Sequence, residues 1–152
     1  MLTIRPATAN DIPLILSFIR ELAEYEREPQ AAVATAEDLQ RDGFTAGTEP
    51  KFKCVIAEWE DRPAGFALWN YCYSTWLGKH GLYLEDLFVR PEFRGKGIGK
   101  ALLAHLTQVA KKEKCYGMRW QALDWNQPAI DFYESLGAEV QREWIPVRML
   151  LK

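Results

Sequence analysis

Residues 83–104 read YLEDLFVRPEFRGKGIGKALLA, and the way this stretch changes character along its length decides the fold. It opens with apolar and aromatic residues of strand type and passes through Pro91. It then turns basic and glycine-rich between Arg94 and Lys100 before taking on helical periodicity. The succession is strand, tight loop, helix. Gly95, Gly97 and Gly99 carry no Cβ where the helix begins, so the amides of its first turn are open to close approach. An anion placed there meets unpaired N–H groups and the positive end of the helix dipole, which makes phosphate the expected guest.

Spacing excludes two familiar phosphate loops. A Walker A loop ending in Gly99-Lys100 needs glycine where Arg94 stands and Ser or Thr where Ala101 stands; a dinucleotide fingerprint starting at Gly95 needs Gly or Ala in place of Lys100. An ordinary surface turn is the remaining alternative for so short a pattern, and the flanking strand and helix weigh against it.

Composition sets the outer bounds. With 152 residues, 48% of them hydrophobic, the chain can bury one substantial core and is short for two, so residues 1–152 are expected to form a single domain. A net charge of -2 gives no general electrostatic attraction to nucleic acid or to an anionic membrane. No run of about 18 apolar residues exists and MLTIRPA lacks the apolar segment of a signal peptide, so a soluble, cytoplasmic protein is expected. Cys54, Cys72 and Cys115 are isolated, without C-x-x-C spacing, and read as buried reduced thiols; no metal is expected.

Residues 2–5 alternate as a first strand does. Thr8 and Asp11 form a capping signature before an apolar stripe of Ile12, Ile15, Leu16, Ile19, Leu22 and Ala23, a helix that ends near Pro29. Thr35 and Asp38 repeat the signature for a short helix stopped by Gly43. Residues 52–59 and 64–76 predict a hairpin joined by Glu60-Asp61-Arg62-Pro63, and residues 78–81 turn the chain into a central strand over 82–89. The helix after the glycine loop buries Ile98, Leu102, Leu106 and Val109, and a strand over 118–123 should pair parallel to the central one. Asn126 caps a last helix over 126–136 with Ala129, Phe132, Tyr133 and Leu136 on one face, ended by Gly137; two strand-like pieces, 138–142 and 144–151, close the chain.

The order β-α-α-β-β-β-α-β-α-β, with Arg94-Gly95-Lys96-Gly97-Ile98-Gly99 as an R/Q-x-x-G-x-G/A loop, resembles the GNAT superfamily of N-acetyltransferases. So do Ile4-Arg5-Pro6-Ala7-Thr8, Tyr83-Leu84-Glu85-Asp86, Asn126-Gln127-Pro128-Ala129, Phe132-Tyr133 and Leu136-Gly137-Ala138. Within it the chain is most similar to the spermidine/spermine (diamine) acetyltransferase branch, down to Glu21-Leu22-Ala23 before Tyr25-Glu26. The resemblance implies an α/β GNAT fold, a mixed and mostly antiparallel sheet flanked by about four helices. It also implies acetyl-CoA as cosubstrate, a small cationic amine as acceptor and a homodimer.

It further implies site residues. The pantetheine arm would lie along the backbone of Leu87, Phe88 and Val89 as an added strand. The diphosphate would rest on Arg94, Gly95, Lys96, Gly97, Ile98, Gly99 and Lys100, and Asn126, Gln127, Pro128, Ala129 and Tyr133 would complete the cofactor contacts. Tyr25, Glu26, Glu85, Asp86, Trp120 and Gln121 fall where the diamine enzymes hold the acceptor. Glu85 is the candidate base and Tyr133 the candidate acid, because a protonated amine must lose a proton and the departing thiolate must gain one. Asp86 points away from Glu85 in a regular strand; a bulge would bring the two together. Ser74, two residues before Trp76, stands where polyamine enzymes tend to carry aspartate, which makes a lysine-like amino acid such as thialysine a competing acceptor. A catalytically silent acyl-CoA-binding protein is the alternative from a different class.

Overall fold

The computed structural model describes residues 1–151. Along the chain run β1 (Leu2–Pro6), α1 (Ile12–Tyr25), α2 (Ala36–Gly43), β2 (Lys53–Trp59), β3 (Arg62–Ser74), β4 (Lys79–Val89), α3 (Ile98–Lys112), β5 (Met118–Arg119) and α4 (Gln127–Ser135). They fall into two compact units, Met1–Trp120 and a second that begins at Gln121.

In the first unit the helix starts are built by the predicted caps. The Thr8 N–H donates to Asp11 Oδ2 at 2.8 Å, one turn ahead of α1, and the Thr35 hydroxyl accepts from the Asp38 amide at 3.2 Å while Asp38 Oδ2 accepts from the Thr35 amide at 2.9 Å. Arg5 reaches from β1 to grip both Asp11 oxygens, at 2.8 and 2.9 Å, and holds that carboxyl down to about 2. The five strands form one sheet in the order β1-β2-β3-β4-β5, antiparallel except for the parallel pair β4 and β5. The β2–β3 hairpin closes through Glu60 and Asp61, both with positive φ, as a two-residue turn that suits twisted strands. Phe18 of α1 stacks on Phe66 with ring centroids 5.1 Å apart and meets Phe88 edge-on at 6.4 Å, so α1 covers one face of β3 and β4. Leu102 and Leu106 of α3 are also fully buried.

Several features differ from the sequence reading. The central strand starts at Lys79, three residues early, because the turn lies over residues 75–78, where the Leu77 amide donates to Ser74 Oγ at 3.1 Å and the Gly78 amide to Ser74 O at 2.8 Å. Ser74 is thus a turn-forming residue. The strand expected over 118–123 is two residues long, since β4 is paired with it only at Leu82–Met118 and Tyr83–Arg119. The pieces expected over 138–142 and 144–151 form no strand. A strand exists only where another strand supplies its ladder, and the alternating apolar residues of the tail lack one: Ile145 is 82% exposed and Val147 93%. Finally, Cys72 and Cys115 are half-buried rather than buried, while Cys54 is enclosed and its thiol is pushed up to about 12 by burial; all three are free of disulfides.

The second unit is organised on α4. Asn126, itself buried, caps it by accepting from the Ala129 amide at 3.4 Å, and Pro128 sits in the first turn. Gly137 ends it at φ +91°, with the Gly137 amide donating to Glu134 O and the Ala138 amide to Tyr133 O. The buried side chain of this helix is Ile130, whereas Leu136, expected on the apolar face, is 40% exposed.

Candidate active site

The glycine loop follows β4 through a single 3-10 turn, Pro91–Phe93, pinned by the buried Phe93 ring under the Arg62 guanidinium at 4.7 Å. Gly95 and Gly97 then take φ of +81° and +78°, a region closed to most side chains. Among the described residues no backbone amide from Gly95 to Lys100 donates to another backbone group, and the first closed turn of α3 is Ala101 N–H to Gly97 O at 3.0 Å. Six consecutive donors at a helix start make an anion cradle. Arg94, predicted as part of it, is otherwise engaged. Its amide donates to Pro91 O at 3.2 Å, its Nε donates to Val89 O at 3.0 Å, and its guanidinium lies 5.0 Å over the Tyr25 ring. Lys96 directs its ammonium over Trp59, 5.2 Å from the ring centre.

A Cβ added at Gly97 would meet nothing within 4 Å, so only the backbone angle demands glycine there. Gly97→Ala is therefore expected to relax out of the left-handed conformation at little cost in stability. The strain of about 1–2 kcal/mol then appears when the cradle must re-form, raising the KM for acetyl-CoA roughly 5- to 30-fold. Steady-state kinetics beside a melting curve measure both, and an unchanged KM would mean that the loop holds no phosphate.

β4 supplies the second feature. Its partner on one side is β3, but on the other its pairing to β5 stops at Tyr83, leaving residues 84–89 as an edge that no strand among the described residues pairs. Along this edge Leu87 and Val89 are half-buried and Phe88 is buried.

The third feature is the bulge at Glu85. Leu68 opposes Asp86 and Trp69 opposes Leu84, so Glu85 has no partner. Cross-strand partners share a face, so Leu84 and Asp86, which a regular strand would place on the same side, stand on opposite faces. Glu85 is exposed and Asp86 half-buried on the α1 side beside Leu68. Burial raises the Asp86 carboxyl to about 7, helped by the charges of Glu85 and Glu26. Burial also raises Glu26, at the end of α1. Among the described residues, the charged groups that act on Asp86 are the Glu85 and Glu26 carboxylates. Three carboxyls gathered in this way are prepared to receive a positive charge.

Two residues that position this group were not legible. Arg90 donates from Nε and Nη2 to both oxygens of Glu21 at 3.0 to 3.3 Å and lies 4.7 Å over the Phe18 ring, tying the end of β4 to the last turns of α1. They are 69 positions apart, and no local pattern links them. That clamp fixes the last turns of α1 against the end of β4, and from the end of α1 the Glu26 carboxylate acts on Asp86. Trp120 is half-buried at the end of the first unit. In the second unit Gln121 is exposed, Gln127 Nε2 donates to Asp131 Oδ1 at 2.7 Å, the Ala129 amide donates to the Asn126 cap, and Tyr133 is half-buried with its ring 5.6 Å from that of Phe132.

The sequence profile of the Acetyltransferase (GNAT) family matches residues 16–138. The chain belongs to that family. This acetyltransferase is 41% identical over 143 residues to thialysine N-epsilon-acetyltransferase of Sus scrofa, an alignment covering 89% of this chain and 82% of that one. It is 43% identical over 142 residues to spermidine/spermine N(1)-acetyltransferase-like protein 1 of Homo sapiens, covering 89% of this chain but 20% of that longer protein. In fold it is similar to an integron cassette protein from the mobile metagenome of V. cholerae, with TM-score 0.79, 28% identity, and 98% and 92% of the two chains covered. The acetyltransferase takes acetyl-CoA as its cosubstrate, and the observed parts suit one: an anion cradle for the diphosphate and an open strand edge for an amide-bearing arm.

Proposed function

We propose that this acetyltransferase acetylates a primary amine of a small cationic acceptor, a diamine, polyamine or thialysine-like amino acid. The observation that carries the reading is the cluster of carboxyls at the bulge, where burial and the charges of Glu85 and Glu26 raise Asp86. The likeness to thialysine and spermidine/spermine enzymes supports it. Bound acetyl-CoA supplies the acetyl group as an activated thioester. The backbone from Gly95 to Lys100 binds its phosphates, and the open edge at Leu87, Phe88 and Val89 holds its arm by main-chain hydrogen bonds. Glu26 and Asp86 attract the ammonium, with Tyr25, Trp120 and Gln121 as further acceptor contacts. Glu85 takes the proton that the amine must lose, directly or through water, and the Tyr133 hydroxyl gives the proton that the departing sulfur needs. Asn126, Gln127, Pro128 and Ala129 are proposed to support the arm from the start of α4.

A thiol-release screen over spermidine, short diamines, lysine, thialysine and peptide amines tests this. Turnover with at least one free amine and little with peptides is expected. Acetyl-CoA binding without thiol release from any of them would establish instead a silent acyl-CoA-binding protein.

We further propose that residues 1–152 act as one catalytic domain, since the family match runs across the boundary between the two units, and that the chain works in the cytoplasm as a homodimer. No helix among the described residues is long and apolar enough to cross a membrane. Net charge of -2 gives no general pull toward nucleic acid. The dimer reading is supported by apolar side chains left open, Trp76 at 91% exposed and Val147 and Leu151 at 93% and 91%. Sedimentation velocity should give the mass of two chains; the mass of one across the working concentration range would remove the dimer.

A further inference from the structure

We propose that the protein carries a zinc-type metal site, formed by His80, Glu113 and Cys115, where β4 begins and α3 ends. One imidazole nitrogen, one carboxylate oxygen and the Cys115 sulfur lie within 4.8 Å of one another, each on a half-buried residue. The backbone brings them together. Glu113 caps the C-terminus of α3 and Lys114 takes a left-handed φ of +59°. The Lys114 amide donates to Lys111 O at 3.1 Å and the Cys115 amide to Ala110 O at 2.9 Å, a reversal that folds Cys115 back over the helix end. The next amide, of Tyr116, donates to His80 O at 3.0 Å and so ties this reversal to the sheet. A left-handed lysine costs about 1–2 kcal/mol, and it stands between two of the three donors.

The donor set selects the metal. An imidazole, a thiolate and a carboxylate together suit zinc-like borderline ions and not magnesium or calcium, and three protein donors leave a fourth tetrahedral position for water. Metal–donor bonds of about 2.0–2.3 Å put the donors of a tetrahedral site roughly 3.3–3.8 Å apart, so the cluster needs to close by about 1 Å, within the reach of side-chain rotation. Outer partners are present as well. The Tyr71 hydroxyl donates to Glu113 Oε2, which leaves Oε1 for the metal, and the Tyr71 ring meets the His80 ring edge-on at 5.8 Å. Two groups oppose binding. Lys53 Nζ sits 3.7 Å from Glu113 Oε1, on a side chain that is 44% exposed and free to swing out, and burial keeps the Cys115 thiol protonated until a metal displaces the proton. His80 is five residues before Glu85 on β4, roughly 16 Å along an extended strand, so the cluster stands apart from the acyl-transfer residues. It would fasten the far end of the helix whose beginning forms the phosphate cradle.

Titration of the tag-free, reduced chain with Co²⁺, followed by competition with Zn²⁺, tests the site. One equivalent of Co²⁺ is expected to give a near-ultraviolet thiolate-to-metal band that Zn²⁺ abolishes. Cys115→Ser should remove the band, and His80→Gln should weaken Zn²⁺ at least tenfold. Lys53→Gln, which removes the competing cation, should strengthen it several-fold. A band that survives Cys115→Ser, or no band in the native chain, overturns the proposal. Should Cys115→Ser fail to fold, unaltered affinity in His80→Gln overturns it equally.

Discussion

Tyr133→Phe is expected to lower kcat by roughly 10²- to 10⁴-fold while leaving the affinity for acetyl-CoA nearly unchanged. The substitution removes one oxygen from a half-buried ring on α4 whose neighbour is the Phe132 ring, so packing is kept and the helix retains its Asn126 cap and Gly137 stop. A tyrosine hydroxyl can donate as charge grows on sulfur, a contribution made in the transition state and not in the bound ground state. The loss should therefore fall on kcat, and acetyl thioesters with a better leaving thiol should recover part of it. Steady-state kinetics with acetyl-CoA varied at saturating amine separate the two constants. An unchanged kcat would take Tyr133 out of the mechanism.

Asp86→Asn is expected to move stability and activity in opposite directions. The folded carboxyl is raised to about 7 from 3.8, so between those values the folded protein holds a proton that the unfolded chain has released. Native stability is then greatest at the acid end of this window, falls as pH rises through it, and above about 7 carries the whole cost of an ionised, half-buried group. Three pH units correspond to about 4 kcal/mol, an upper figure for a group that water partly reaches. The asparagine variant should unfold with about 2–4 kcal/mol more difficulty at pH 8 and with no difference near pH 4. Its kcat/KM for the amine should fall roughly 10- to 100-fold, because the ammonium loses a charged partner. Urea denaturation at the two pH values reads the first effect and amine-varied kinetics the second. Equal stability at pH 8 would show that Asp86 is not desolvated, and unchanged kcat/KM would show that the amine does not meet it.

The local parts of this acetyltransferase were legible because their causes are local. Threonine and aspartate at the right spacing cap α2 and the 3-10 turn that leads into α1, Gly137 stops α4, and Gly95 and Gly97 adopt the angles that their lack of a side chain permits. The parallel pairing of β4 with β5 followed from the strand, helix, strand order. Errors gathered where the partner of a segment lies outside it. Residues 138–142 and 144–151 read as strand-like pieces, but a side-chain pattern supplies no ladder. The stretch after Arg119 is apolar enough for a strand, yet β5 ends there because β4 pairs with it no further than Tyr83.

By itself the sequence determined the element order as far as α4, the family and the anion cradle at the start of α3, since each depends on residues within a few positions of one another. Tertiary structure alone decided that Glu85 would be the unpaired residue of a bulge, that Asp86 would be pressed beside Leu68 with Glu26 near, and that Arg90 would clamp Glu21. Charges act through distance and solvent, and both are set by which strands and helices meet rather than by the order of residues along the chain.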